Sequence, residues 1–172
     1  MTALHIAVHL NYTQFVEKLL NVSGIELDPK TEFGATPFYM AAAFGYVEIL
    51  KLLHAAGADI SGYCNKCFNT EYRNGNGLMP IHIAVYYGDL PVVETIIQLG
   101  EDVDVVSDYF KFTPLIFAAF YAHADVVEYL LEMGADCDIQ SDYERTALDW
   151  ASLYHGMPGM DEVVEVLNNG CG

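Results

Sequence analysis

Cys64 and Cys67 frame a C-x-x-C, a spacing that can supply half of a tetrahedral zinc site or close into a redox disulfide. A structural zinc site needs four ligands, and neither a second C-x-x-C nor an H-x3-H accompanies this one. The strand-helix context of a thioredoxin-like motif is also missing, so no metal is assigned, although a metal or thiol site on this segment is the third-ranked reading of the chain. Asp149, Ser152 and His155 bring an acid, a nucleophile and a base into one short stretch, but without the G-x-S-x-G turn that presents a serine nucleophile. Gly75-Asn76-Gly77 is not followed by Lys-Ser or Lys-Thr and is not a phosphate loop. His9, His54, His123 and His155 share no spacing and read as surface residues. No catalytic residue and no cofactor is assigned, and the chain is not read as an enzyme.

The elements that carry these residues recur along the chain. TALHIA begins at Thr2, TPFYMA at Thr36, MPIHIA at Met79, TPLIFA at Thr113 and TALDWA at Thr146, at successive offsets of 34, 43, 34 and 33. A Thr hydroxyl can cap a helix, and a Pro in the next position enters the first turn, where its missing N–H costs nothing. Each copy therefore opens a helix. About nine residues on, Asn11, Gly45 and Gly88 can take the left-handed conformation that ends it. A second amphipathic segment follows (FVEKLL, VEILKLLH, PVVETIIQL, DVVEYLLEM, DEVVEVLNN), and turn-rich stretches lead to the next copy.

This pattern resembles the ankyrin repeat over essentially the whole chain. The resemblance implies an all-α solenoid of stacked helix-turn-helix units joined by short β-turn or hairpin fingers. It forms one domain over 1–172, with repeats at about 1–30, 31–63, 74–106, 107–140 and 141–172 and an elongated finger at about 64–73. It also implies that His5 and His82, in the fourth motif position, tie neighbouring repeats together. Departures are specific: Met79 replaces a capping Thr, and Lys111 and Glu144 stand where Gly34 and Gly77 serve other fingers. Glu162, Glu165, Asn168 and Asn169 supply a polar outer face at the C-terminal end; the first repeat has no comparable face, as in a piece of a longer array.

In the resembling family, the fingers and the two residues after the Ala-Ala of each first helix face a concave groove. Those places hold Phe33, Phe44, Tyr86, Tyr87, Tyr109, Phe110, Phe112, Phe120, Tyr121, Tyr143 and Tyr154. So many aromatic rings on one face predict a binding surface. Asp104, Asp108, Asp138 and Asp142 lie near them in sequence, which points to a basic partner segment.

Composition narrows the partner class. Residues 89–172 carry seventeen acids and two bases, against seven acids and five bases in 1–88, and the whole chain has a net charge of −17. Such a field repels nucleic acid and anionic lipid. The long uncharged runs, Phe33 to Val47 and Phe112 to Ala124, fall short of the about 20 apolar residues that membrane insertion needs. Four cysteines without framework spacing are expected to be free thiols in a cytoplasmic protein. The expected function is that of a monomeric protein-interaction module. The alternative is a regulatory or targeting part of a larger enzyme, channel or ubiquitin-ligase receptor.

Overall fold

A computed structural model describes residues 1–64, 77–108 and 110–171; Cys67, most of the expected finger insertion and Tyr109 lie outside the described residues. The Thr residues act at helix starts as their position predicts. Thr36 Oγ1 accepts from the Tyr39 N–H at 3.1 Å and Thr113 Oγ1 from the Ile116 N–H at 3.2 Å. Thr146 and Asp149 close a reciprocal capping box, since the Asp149 N–H donates to Thr146 Oγ1 and the Thr146 N–H donates to Asp149 Oδ2. Pro37, Pro80 and Pro114 occupy the first helical turns.

The helices come in pairs: α1 (Ala3–His9) with α2 (Thr13–Leu20), α3 (Pro37–Ala43) with α4 (Val47–Ala55), α5 (Pro80–Tyr87) with α6 (Leu90–Gln98), α7 (Pro114–Phe120) with α8 (Ala124–Glu132), and α9 (Ala147–Leu153) with α10 (Met160–Gly170). The turn inside a pair needs a left-handed residue, which Asn11, Gly45, Gly88 and, unexpectedly, Ala122 provide. First helices stack on first helices (α1, α3, α5, α7, α9) and second on second (α2, α4, α6, α8, α10). The result is an all-α repeat solenoid.

Its core runs unbroken along the stack, because each helix contributes one stripe to its own pair and another to the neighbouring pair. Leu53, Ile96, Leu130 and Leu167 recur at one position of the second helices and are all fully buried. The outer flank of the first pair differs: Phe15 is 48% exposed, whereas Ile49, Val92, Val126 and Val163 at the same position are fully buried. The C-terminal flank is polar as expected, with Glu162, Glu165, Asn168 and Asn169 exposed on α10.

Histidines tie the fingers to the helices. His5 accepts at Nδ1 from the Thr2 N–H and donates from Nε2 to the Ala35 carbonyl at 3.1 Å. His82 repeats the arrangement with the Met79 N–H and, at 3.2 Å, the Val105 carbonyl. Met79 itself gives no side-chain cap, and the His82 N–H that a Thr would cap donates to the Met79 carbonyl at 3.0 Å. His123, expected at the surface, is also a tie: its ring is half-buried over Gly88, where a Cβ would collide with it, and Nε2 donates to the Tyr86 carbonyl at 3.1 Å. Lys111 and Glu144 adopt φ of 56° and 55°, the left-handed conformation that Gly34 takes in its finger, so these turns keep their geometry at a steric cost of about 1–2 kcal/mol each.

Two predictions follow from this packing. Truncating Leu53, Ile96 or Leu130 to Ala should each lower stability by about 2–5 kcal/mol in urea unfolding, through lost burial and a residual cavity. Burial pushes the His82 imidazole down to about 4 from 6.5. The folded ring stays neutral, while the unfolded chain takes up the proton first as pH falls, so the stability due to this group is complete above about pH 6.5 and is lost toward pH 4. The stability gap between the natural chain and His82→Asn should therefore narrow by about 3 kcal/mol between pH 7 and pH 4. A constant gap would contradict a buried neutral His82.

Candidate interaction surface

Each first helix of the later repeats ends in aromatic residues, and stacking brings those ends side by side. Tyr86 meets Tyr87 and Tyr121 with ring centroids 5.0 and 4.7 Å apart. Tyr121 meets Phe120 at 5.1 Å, and Phe120 meets Trp150 at 5.4 Å and Tyr154 at 5.5 Å. A branch runs out along the fingers, from Trp150 to Tyr143 at 5.6 Å and from Tyr143 to Phe110 at 5.1 Å. Many of these contacts are edge-to-face, the arrangement favoured by ring quadrupoles and worth about 0.5–1.5 kcal/mol each beyond burial. The band thus holds its own shape.

The rings divide by exposure. Tyr87 is 61% and Tyr143 51% exposed, while Tyr86, Phe110, Phe120, Tyr121 and Tyr154 are half-buried and show one side to solvent. Phe112 departs from its expected place on the surface: it is only 3% exposed and lies beneath the band, 5.3 Å from Phe117 and 5.4 Å from Trp150. The reason is local. Counted back from the helix cap, Phe112 holds the place that Ala35 and Leu78 hold in other repeats, and all three are buried; the left-handed Phe110 and Lys111 precede it. Phe33 and Phe44 are exposed; Phe44 belongs to a separate small cluster with His9 and Tyr46. Tyr109 lies outside the described residues.

Trp150 is the ring that sequence reasoning missed. It occupies the fifth motif position, shared with Ile83 and Phe117, which lies between repeats, and that register was the available signal. Its indole N–H donates to Ser141 Oγ at 3.1 Å, which anchors the ring to the repeat-five finger. The Arg145 guanidinium lies over its face, 5.1 Å from the centroid, so a cation already uses this wall.

The four singled-out carboxylates fall in two places. Asp108 and Asp142 stand on the fingers next to the rings: Asp108 is exposed and packs against Gly77 of the preceding finger, and the Asp142 N–H donates to the Phe110 carbonyl at 2.9 Å. Asp104 and Asp138 stand earlier, in the loops that leave the second helices. Asp104 Oδ1 accepts from the Asp136 N–H at 3.0 Å, and burial pushes its carboxyl above the usual range. Asp136 Oδ1 in turn accepts from the Asp138 N–H at 2.9 Å. Asp104 therefore staples successive loops, while Asp108 and Asp142 are exposed beside the rings.

The free-thiol expectation is overturned. Cys137 and Cys171 form a disulfide with Cα atoms 5.8 Å apart, and Cys64 is disulfide-bonded too. A separation of 34 residues is close to one repeat, so stacking makes spatial neighbours of two cysteines that are distant in sequence. The free-thiol argument for an intracellular setting does not survive this pairing. Cys64 Sγ is engaged and is not a thiolate ligand in this state; Cys67 lies outside the described residues. His155 Nδ1 pairs with Asp161 at 2.9 Å on the surface, and Asp149 serves its capping box, so neither is set up to assist Ser152. Among the described residues no group of three or more His, Cys, Asp or Glu side chains converges as a metal site, and no helix is long and apolar enough to cross a membrane.

Comparison with known proteins agrees with the helix pairs. A family model described as ankyrin repeats (3 copies) matches residues 1–64, 62–141 and 81–171. The chain is 34% identical over 111 residues to alpha-latrotoxin-Lg1a of Latrodectus geometricus, which covers 64% of this chain and 8% of that protein. It is 31% identical over 100 residues to a glycerophosphocholine phosphodiesterase of Candida albicans, covering 58% and 8% respectively. The matched segments thus span less than a tenth of either relative. Family matches across nearly the whole chain, with ten helices in five stacked pairs among the described residues, establish that this chain belongs to the ankyrin repeat family, whose members are in general noncatalytic protein-interaction modules.

Proposed function

We propose that this chain binds a protein segment along the aromatic face of repeats three to five, with Tyr87 and Tyr143 as anchors and Tyr86, Phe110, Phe120, Tyr121 and Tyr154 as the floor and walls. The observation that carries this reading is the continuous ring band with two Tyr side chains more than half exposed at its ends. Exposed aromatic clusters on this scale are costly to keep in water and are characteristic of interface cores. Phe33 and Phe44 extend the face toward repeat two. Phe112 supports it from below.

The segment is basic. Asp108 and Asp142 flank the rings, the surrounding half of the chain is strongly acidic, and the Arg145–Trp150 contact is an internal example of the interaction a partner Lys or Arg would make. Nucleic acid and anionic membrane surfaces are disfavoured by the same charge. The chain works as a single array over 1–172, as a monomer, with no cofactor and no catalytic step. A second reading is favoured by one observation: both relatives are far longer than the matched segment, as expected if such an array serves as the targeting or regulatory part of a larger protein.

The test is binding to an immobilised array of Lys- and Arg-containing peptides beside their Glu-substituted counterparts. Tyr87→Ala and Tyr143→Ala should each weaken capture of the best basic peptide by about 2 kcal/mol, as interface anchors do, with little change in melting temperature. Equal loss of stability and binding would mean that the rings only hold repeats together. Exposed charges are screened over about 8 Å at physiological ionic strength. Raising salt from about 50 to 500 mM should therefore slow association, and Asp108→Asn with Asp142→Asn should flatten that dependence. Affinity indifferent to salt and to both carboxylates would point to an apolar segment instead.

A further inference from the structure

The Cys137–Cys171 bond closes a loop around the whole last repeat. It runs from the segment after α8 to the C-terminal end of α10 and encloses α9, α10, Tyr143, Trp150 and Tyr154. Earlier junctions join the equivalent loops without a covalent bond: Asp28 Oδ1 accepts from the Asp59 N–H at 2.9 Å, and Asp104 Oδ1 from the Asp136 N–H at 3.0 Å. At the last junction the tie is covalent. Among the described repeats the last pair, like the first, is held from one side: α10 packs inward on α8 and α9 while Glu162, Glu165, Asn168 and Asn169 leave its outer flank in water. Stability in such an array is a sum of nearest-neighbour terms, so a pair held from one side opens before pairs held from two.

We infer that Cys137–Cys171 is a redox latch that holds repeat five, and with it the C-terminal wall of the aromatic face, against repeat four. Both cysteines are partly exposed, so a small thiol can reach the bond. Reduction by a dithiol such as dithiothreitol proceeds by thiolate attack on one sulfur and resolution of the mixed disulfide by the second thiol. One protein S–S bond breaks, two protein thiols form with the protons and electrons of the reductant, and the reductant leaves as its own disulfide. The opened repeat loses the loop constraint that disfavoured its unfolded state. The latch stands on the disulfide and the helix packing; its consequence for binding rests on the proposed contact face.

Trp150 is the single tryptophan, sits inside the closed loop and packs on Phe112 and Phe120 of repeat four, so its fluorescence reports on the seam between repeats four and five. The full chain is compared oxidised, reduced with dithiothreitol, as Cys137→Ser with Cys171→Ser, and as Cys64→Ser, which separates this bond from the one at Cys64. Reduction and the double variant should red-shift Trp150 emission and speed hydrogen exchange in residues 141–171 at least about tenfold, leaving 1–64 and 77–108 unchanged. Cys64→Ser should keep the oxidised signature. Unchanged emission and exchange in both the reduced protein and the double variant would overturn the latch, whatever binding does. The basic peptide captured by the oxidised chain serves as the binding probe. A matching loss of its affinity on reduction supports control of the contact face; unaltered affinity with repeat five opened would overturn that control and the placement of the face, and leave the latch intact.

Discussion

A pair of seven- to eleven-residue helices cannot bury two apolar stripes by itself, and everything else in this molecule follows from that deficit. The remedy is stacking: Leu53, Ile96, Leu130 and Leu167 lie at one register in successive pairs and form a single continuous core. Because neighbours must sit in fixed register, the polar ties can repeat as well. His5 and His82 reach across to backbone carbonyls one finger away, and Asp28 and Asp104 reach across to backbone N–H groups one loop away. Each such tie satisfies a group that burial would otherwise strand.

The aromatic band is a by-product of the same register that acquires a different character in the second half of the chain. Residues at the ends of the first helices are brought within ring contact of one another by stacking, so placing Tyr or Phe there in consecutive repeats builds a wall that supports itself laterally. Repeats one and two place only Leu10 and Phe44 there as large apolar groups, and Phe44 meets the rings of His9 and Tyr46. The charge asymmetry follows the same division. A surface that is both aromatic and anionic is suited to cationic side chains, since ring faces and carboxylates attract the same group by different means. Arg145 over Trp150 shows the ring-face attraction inside the protein.

The ends of the array differ in how they meet water. The last pair turns Glu and Asn outward and closes itself with a disulfide, whereas the first pair leaves Phe15 half exposed at a register where later pairs bury the residue completely. Local conformation shows a comparable asymmetry. Lys111, Glu144, Phe110 and Ala122 hold left-handed backbone without being glycine, which hydrogen bonds and packing around the fingers must sustain.

Much of the fold was legible in the chain itself, because helix starts, helix ends and the period near 33 are local signals. Thr-Pro at a cap, Gly or Asn at a left-handed turn and alternating apolar stripes each act over a few residues, and the structure realises them at Thr36, Thr113, Gly45 and Gly88. The role of His5 and His82 was also readable, through a motif position tied to a repeating geometry. What required tertiary structure was everything that depends on which residues one repeat apart come to touch. Phe112 was expected among the surface rings, but the place just before the helix cap faces the core, as it does for Ala35 and Leu78. His123 became an inter-repeat tie because Gly88 leaves room for its ring, and Asp104 was drawn into a loop staple away from the rings it neighbours in sequence. Cys137 and Cys171 look unrelated at 34 residues apart, yet that separation is close to one turn of the solenoid, and stacking decides that they meet.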